Sequence, residues 1–342
     1  MRILVVGGTG FIGETLCREL HDRGHEVTAM ARAPEDAALP DGVDRVMGDV
    51  TAYDSIEAAF EGQDAVINLV ATSPLFRPKG GDERHFKVIR DGTENVVRAA
   101  ETHGVSKLVQ VSALGADPDG DTAYIQAKGL AESVIRNSSL NWVFFRPSVV
   151  FGDGDEFVGF TKKLAPPYLT PLPGGGKTRF QPIWVGDFVP MVADAVEGVV
   201  PDADDVDEEA DGDEDETDDD AEGTDDEPDE TDDEPDEMDD PHIGRAYEIG
   251  GPEVLTLADV ATLAHAADNK PVDIVPVPMA LAKIGLSMLD FIPGAPMGSD
   301  QYRSLQFDNT TSHNDIDAFG VDEADLTTLA SYLGVDPDLL DE

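Results

Sequence analysis

The sequence predicts an α/β protein with a doubly wound parallel sheet, because short apolar strands alternate with helical segments over about its first 150 residues. Strands are expected at 2–6, 26–30, 45–47, 65–70, 108–111 and 142–145. Helices are expected after the first strand and near 55–60, 83–103 and 122–136. Right-handed crossovers would then cover both faces of the sheet with helices and leave ligands at the carboxyl ends of the strands.

A glycine-rich turn joins the first strand to the first helix. Gly7, Gly10 and Gly13 follow strand 2–6 with the spacing G-x-x-G-x-x-G. Gly7 permits the tight turn, Gly10 lets the backbone approach a pyrophosphate, and Gly13 lets the helix pack close to the strand. The free N–H groups at the start of the helix suit the phosphates. The pattern therefore predicts a Rossmann-like dinucleotide-binding domain.

The regular alternation ends after Pro147, which predicts a second, smaller domain. The dinucleotide-binding domain is expected at 1–150, completed by 182–200 and 246–253. Segments 151–181 and 254–342 are expected to form a small, split C-terminal α/β substrate domain. Residues 201–241 repeat an acidic heptapeptide and are predicted to be a disordered insert, since they cannot bury enough apolar surface to offset chain entropy.

The chain is strongly acidic, with a net charge of -49. Residues 201–240 hold 27 of the 72 acidic side chains, yet the other 302 residues still carry 45 acids against 23 bases. This balance argues against nucleic acid and anionic membranes as partners, and it favours a high-salt cytoplasm, as in a halophile. There is no signal peptide or transmembrane segment in the sequence, so a cytoplasmic location is expected. The 7 histidines show no metal-ligand spacing, so no metal site is predicted.

Tyr124 and Lys128 form a second candidate site. They are four residues apart on a predicted helix and therefore share a face. A phenol titrates near pH 10, and a neighbouring ammonium lowers that pKa by stabilising the phenolate. On this interpretation Tyr124 is a general acid/base, while Lys128 tunes its pKa and binds the ribose of a nicotinamide cofactor. The alternative is an exposed helix face without a chemical role.

Taken together, these motifs resemble the extended and atypical short-chain dehydrogenase/reductases. More closely, the chain resembles the nucleotide-binding accessory-subunit-like family of respiratory complex I, within the NAD-dependent epimerase/dehydratase superfamily. The similar stretches are 7–13, 111–117, 124–132, 146–152, 174–187, 247–253 and 300–301.

The resemblance implies a set of site residues. Tyr124, Lys128 and Ser112 are the catalytic candidates. Residues at the glycine turn and at the carboxyl ends of the strands are expected to contact the cofactor, and they are Gly7, Thr9, Gly10, Phe11, Ile12, Gly13, Arg32, Asp49, Val50, Asn68, Val70, Ala71, Lys128 and Pro147.

Two departures from the reductase pattern leave two hypotheses open. Ser112 precedes Tyr124 by only twelve residues, and the usual catalytic hydroxyl position falls nearer Leu114. The preceding helix has Ile89 where the family has asparagine. The first hypothesis is a dinucleotide-dependent oxidoreductase or epimerase acting on an unknown small molecule. The second is a non-catalytic nucleotide-binding accessory or assembly factor, whose partners are subunits of a respiratory NADH dehydrogenase complex.

The end of the second strand favours NADP(H) over NAD(H). An acidic residue there would bind the ribose 2′-hydroxyl of NAD. The sequence has Arg32 instead, and a guanidinium binds a 2′-phosphate bidentately. NAD(H) remains the alternative, because Glu35 or Asp36 could fold back to the ribose; either acid could also simply pair with Arg32.

Overall fold

A computed structural model describes residues 1–199, 240–281, 283 and 303–340. Its centre is an entirely parallel seven-stranded sheet. The chain contributes the strands in the spatial order β11-β6-β5-β4-β1-β2-β3. They span Arg2–Val6 (β1), Glu26–Ala31 (β2), Asp44–Met47 (β3), Ala65–Asn68 (β4), Lys107–Val111 (β5), Asn141–Pro147 (β6) and Arg245–Ile249 (β11). The predicted α/β fold class is confirmed.

Helices cover both faces of the sheet. They are Phe11–Asp22 (α1), Glu83–His85 (α2), Asp91–His103 (α3), Ala123–Arg136 (α4), Phe157–Leu164 (α5), Val185–Glu197 (α6), Leu257–Ala266 (α7) and Leu329–Leu333 (α8). On one face Leu16 and Leu20 of α1 share a core with Val192 of α6. On the other face Val96 of α3 and Ile135 of α4 share a second core. Near-continuous apolar strands such as β1 and β4 are what a sheet covered on both faces requires.

The direction of strand addition reverses at β1. This strand pairs with β2 on one side, Val6 opposite Met30, and with β4 on the other, Val5 opposite Ile67. The chain adds β2 and β3 outward on one side and β4, β5 and β6 on the other. In open α/β sheets a crevice forms at this point, outside the carboxyl ends of the strands. The glycine turn after β1 therefore opens into a ready-made cleft.

A third core holds the C-terminal part of the chain together. It joins Phe157 of α5, Leu263 of α7 and Leu329 of α8. Short ladders support it, between strands Val150–Phe151 (β7) and Ile183–Trp184 (β10), Tyr168–Pro173 (β8) and Val272–Val277 (β13), and Arg179–Phe180 (β9) and Leu255–Thr256 (β12). The division into two domains stays a prediction, but these elements supply the second wall of the cleft.

Two predicted helices are irregular in the structure. Segment 55–60 consists of 3₁₀ turns at Tyr53–Ser55 and Glu57–Phe60. Segment 83–103 is divided, because a π-helical stretch, Phe86–Arg90, separates α2 from α3. π-helical stretches are frequent at functional sites.

Some predictions fall on segments without described coordinates. Apart from Asp240 and Pro241, the predicted insert 201–241 lies outside the described residues. Within the described ranges, no helix is long and apolar enough to cross a membrane. The same ranges contain no group of side chains that could hold a metal ion.

Candidate functional site

One cleft of about 1100 Å³ lies at the carboxyl ends of the central strands. Its walls come from the glycine turn, the loop after β4, the end of β5, the first turns of α4 and the segment 304–312. The cleft therefore brings together residues from the predicted dinucleotide site, the predicted catalytic pair and the C-terminal part of the chain.

The glycine turn has the geometry that a phosphate-binding turn needs. Gly7 has a φ of 91°, which favours glycine, and its N–H donates to Met30 O of β2 at 2.8 Å. A Cβ on Gly13 would lie 2.3 Å from Gly7 O, so no side chain fits there. Gly10 is the N-cap of α1, and no side chain caps the helix. The first N–H groups of α1 thus remain available at the cleft wall, where an anion is favoured.

The predicted pair of Tyr124 and Lys128 lies in this cleft on one face of α4. Lys128 is only 2 % exposed, and its Nζ donates to Val111 O at 2.8 Å. Burial lowers the pKa of Lys128 to about 8, although the charge of Glu132 acts in the opposite direction. Lys128 Nζ lies 5.8 Å from the centroid of the Tyr124 ring.

The pKa of Tyr124 differs from the sequence-based expectation. Lys128 was expected to lower it, but burial raises the pKa of Tyr124 well above its usual value. The physical reason is that the ring packs against the α4 core while Lys128 Nζ is directed to the Val111 carbonyl. The shift makes the Tyr124 phenol a weaker acid than an ordinary phenol and makes its phenolate harder to form at neutral pH.

Ser112 lies at the end of β5 and also lines the cleft. It is 4 % exposed, and its Oγ has no hydrogen-bond partner among the residues that the structure describes. A buried hydroxyl without a partner costs free energy unless a ligand or water satisfies it. Leu114, at the position where the family's catalytic hydroxyl would fall, lines the same cleft with an apolar side chain.

A buried histidine that the sequence analysis did not single out stands behind Tyr124. His85 is 0 % exposed, and its ring packs edge-on against Tyr124 with 5.8 Å between centroids. Its Nδ1 lies 2.5 Å from Oγ1 of Thr72, a cleft-wall residue. Nε2 is buried and has no partner in the described part of the chain. Burial lowers the pKa of His85, so the ring is neutral at neutral pH.

Six of the predicted cofactor residues do not line the cleft, and they are Thr9, Arg32, Asp49, Val50, Asn68 and Val70. Asn68 is the clearest correction. Its side chain is turned into the interior, where Nδ2 donates to Gln110 Oε1 at 2.8 Å and Oδ1 accepts from Val70 N at 3.2 Å. Asn68 therefore braces the end of β4, because a buried amide must be satisfied internally.

The other predicted residues divide by position. Gly7, Gly10, Phe11, Ile12 and Gly13 line the cleft beside the glycine turn. Ala71 and Pro147 line it at the ends of β4 and β6. Val50 is buried, and a Cβ on Gly92 would lie 2.7 Å from its Cγ2. Val50 thus packs beneath the site.

Arg32 and Asp49 lie next to each other beyond β2 and β3. Arg32 is exposed and makes no ion pair among the described residues. Asp49 Oδ1 accepts from Thr51 N at 2.9 Å and from Thr51 Oγ1 at 2.8 Å. Partial burial acts to raise the pKa of Asp49, but these hydrogen bonds and the charges of Arg32 and Arg84 leave it below its usual value. Two guanidinium groups therefore act on one carboxylate here.

The far wall of the cleft comes from the segments predicted to form the substrate domain, although none of its residues was singled out from the sequence. Phe157 and Phe180 pack together there, with 5.3 Å between ring centroids. Asn309 joins the wall to the sheet, because Ser148 Oγ donates to it at 2.7 Å and Asn309 N donates to Arg179 O at 2.8 Å. These contacts join residues more than 100 positions apart, so no local pattern could have indicated them.

Comparisons with known proteins agree with this geometry. Residues 7–164 match the family model described as NAD(P)H-binding. They form an NAD(P)H-binding domain. The match includes the glycine turn, Tyr124 and Lys128, and it ends at the last residue of α5.

The chain is similar to proteins of different kinds. It is 26% identical to NADH dehydrogenase [ubiquinone] 1 alpha subcomplex subunit 9, mitochondrial, of Arabidopsis thaliana, over 91% of this chain and 71% of the plant protein. It is 32% identical to 2-alkyl-3-oxoalkanoate reductase of Stenotrophomonas maltophilia over 46% of this chain, and it spans only 53% of that enzyme's length. The resemblance inferred from the motifs is confirmed on both sides, and the halophilic source stays a prediction.

A solved structure supports the fold. The chain superposes on UDP-glucose 4-epimerase of Thermotoga maritima, determined with UDP-glucose, at a TM-score of 0.64. The two chains are 15% identical and match over 100% of this chain and 99% of the epimerase. At this identity the likeness shows the shared Rossmann-like fold and no more.

Proposed function

We propose that the protein is an NADP(H)-dependent oxidoreductase that works in the direction of carbonyl reduction. The observation that carries this proposal is the position of Tyr124 and Lys128 together in the cleft that the glycine turn opens. Tyr124 is protonated at neutral pH and can give its proton to a developing alkoxide, which is the stronger base, although its raised pKa makes it a weaker acid than an ordinary phenol.

The cleft fits a nicotinamide dinucleotide. The uncapped start of α1 would hold the pyrophosphate, and Gly13 lets α1 pack against the backbone of Gly7 and Gly8, which places that helix end at the turn. The unsatisfied Ser112 hydroxyl and the Lys128 ammonium would bind polar groups of the cofactor. When bound, the nicotinamide would supply the hydride. The chain's own part is to orient the carbonyl beside Tyr124 and deliver its proton.

A preference for NADP(H) is part of the proposal. Arg32 follows β2 next to the turn at Gly7, whose N–H is bonded to Met30 O of the same strand. Arg84 reinforces the positive charge around Asp49. The guanidinium group of Arg32, with Arg84 nearby, suits a ligand with an additional phosphate.

The experiment is to replace Tyr124 with Phe in protein saturated with NADPH in molar salt. We expect turnover of a ketone panel to fall by roughly 100-fold or more, the usual contribution of general acid catalysis. NADPH affinity should not change. Tyr53→Phe is the matched control, since that hydroxyl lies at the surface, 3.4 Å from Thr102 Oγ1. Turnover that survives Tyr124→Phe would refute the assignment.

A second candidate is supported by the relative that covers most of the chain. The similarity to the complex I subunit extends over 91% of this sequence, well beyond the NAD(P)H-binding domain. Under this alternative, the bound dinucleotide stabilises the fold of the protein. The protein then acts as an accessory or assembly factor of a respiratory complex and catalyses no reaction. NADPH would then raise the melting temperature, no ketone would be reduced, and respiratory subunits would co-purify with the protein. Tyr124→Phe would have no kinetic effect.

A further inference from the structure

The part of the cleft beyond Tyr124 has a surface unlike that of the glycine turn. We define it as the distal half, formed by side chains from the loop after β4, the start of α5, β9, β11 and the C-terminal segment, which also contributes the uncharged polar side chains of Ser304, Asn309, Thr310, Thr311 and Ser312. Its apolar members are Leu75, Phe157, Phe180 and Phe307. Its acidic members are Glu156, Glu248 and Asp308.

The distal half has no basic side chain among its described lining residues, and the cations beside its acids, Arg179 at Asp308 and Arg146 near Glu248, are already paired with carboxylates. Of the described side chains that line the cleft, Lys128 is the only basic one, and it lies on α4 with its Nζ on Val111 O. Arg179 is paired with Asp308 at 2.7 Å outside the wall. The segments without described coordinates, 200–239, 284–302 and 341–342, contain no Lys, Arg or His in the sequence, so they hold no basic side chain to add.

An anionic ligand would be poorly accommodated here. A phosphate or carboxylate that enters the distal half loses water and gains no counter-charge. It would also face the carboxylates of Glu156 and Glu248, and Glu156 makes no ion pair among the described residues. An uncharged ligand has neither cost, and Phe307, which is 48 % exposed, offers it an apolar ring surface.

We infer that the distal half binds an uncharged, mainly apolar carbonyl compound and excludes nucleoside diphosphate sugars. This inference rests on the proposed function for the carbonyl group, which lies where Tyr124 donates its proton. The binding preference itself depends only on the walls of the cleft. The two ideas can therefore fail separately.

The test compares a phenylcyclohexanone with its carboxylate-substituted counterpart and with UDP-glucose, by calorimetry on NADPH-saturated protein in molar salt. We expect the neutral ketone to bind at least about tenfold more tightly than its carboxylate analogue, and UDP-glucose to show no binding. Equal affinity for the two ketones, or binding of UDP-glucose, would overturn the inference.

Charge-neutral variants sharpen this comparison. The double variant Glu156→Gln, Glu248→Gln should bind the carboxylate ketone more tightly than wild type does and bind the neutral ketone with unchanged affinity. The difference in affinity between the two ketones should therefore become smaller. The matched control is Glu26→Gln together with Glu61→Gln, two exposed acids outside the cleft. If the difference in affinity between the two ketones falls equally in the control variant, the cause is the net charge of the protein and not the cleft, and the inference is contradicted.

A separate variant tests the apolar side chains of the distal half. Phe307→Ala should weaken the neutral ketone by about tenfold and leave NADPH affinity unchanged. Binding of the neutral ketone without turnover would uphold the inference and refute the proposed reduction. Turnover of a nucleotide sugar would overturn the inference. Failure of the neutral ketone series to bind at all would overturn the inference.

Discussion

The imidazole of His85 connects the cleft wall to the ring of Tyr124: its Nδ1 lies 2.5 Å from Thr72 Oγ1, and its edge contacts the phenol ring. Because the histidine is fully buried, its pKa is lowered and the neutral ring is the stable form. Protonation of the His85 ring would therefore disturb the packing of Tyr124, the proposed proton donor.

This burial of His85 predicts a pH-dependent stability. The unfolded chain binds a proton at His85 near pH 6.5, whereas the folded chain does so only at lower pH. The free energy of unfolding should thus fall as pH falls below about 6.5, by roughly 1.4 kcal/mol for each unit of lowered pKa, until the folded pKa is reached. Denaturant titrations of wild type and His85→Gln at pH 7.5 and 5.5, in molar salt, measure this; identical losses in both proteins would contradict it.

Lys128 predicts a pH dependence of cofactor binding. Its pKa of about 8 means that the ammonium is present at pH 7 and lost as pH rises toward 9. Charge-assisted hydrogen bonds are about twice as strong as neutral ones, so NADPH affinity should fall by about tenfold over this range. Fluorescence titration checks this, with Lys128→Met expected to bind weakly at both pH values. The exposed Lys270→Met is the control, and the same pH profile in Lys128→Met as in wild type would disprove the role.

The position of Arg32 predicts that the protein binds NADPH more tightly than NADH. Arg32→Ala should reduce NADPH affinity by about tenfold or more and leave NADH affinity unchanged, because only the 2′-phosphate requires the guanidinium. Arg84→Ala should have a smaller effect in the same direction. Both titrations should be carried out at low salt and at molar salt, because salt screens the exposed contact between the Arg32 guanidinium and the 2′-phosphate. If NADH binds as tightly as NADPH and Arg32→Ala alters neither, the preference is wrong.

The close packing of Gly13 against Gly7 predicts that no side chain is tolerated at position 13. In Gly13→Ala the new Cβ would lie 2.3 Å from Gly7 O, so α1 must move away from β1. We expect a loss of about 1–3 kcal/mol in the free energy of unfolding and a loss of dinucleotide binding. Gly159→Ala in α5 is the control, because a Cβ there meets no atom within 4 Å. Wild-type affinity in Gly13→Ala would refute the close packing.

The acidic insert is predicted to be dispensable. Deletion of 203–239 should leave the melting temperature in molar salt nearly unchanged. The reason is that its two flanks already meet: His242 Nε2 lies 2.7 Å from Val199 O, and Lys107 Nζ binds both Val196 O and Asp240. Three residues then suffice to join them. A cooperative unfolding transition lowered by more than about 5 °C would show that the insert contributes to the fold.

The sequence by itself determined the features that depend on neighbouring residues. Gly7 and Gly13 are required where a strand turns at once into a helix, and the near-continuous apolar runs of β1 and β4 indicate that both faces of the sheet are covered. The i, i+4 spacing of Tyr124 and Lys128 likewise placed both on one face of α4. These features follow from backbone geometry within a few residues.

Only the tertiary structure decided which atoms those side chains face. Asn68 was predicted to line the cofactor site, yet Gln110 on the neighbouring strand draws its amide into the interior. The pKa of Tyr124 was predicted to fall, yet burial against the α4 core raises it. The contact of His85 with Thr72, and the acidic and apolar distal half, depend on segments distant in sequence that pack together. Burial and hydrogen-bond partners are set by this long-range packing, which no local spacing encodes.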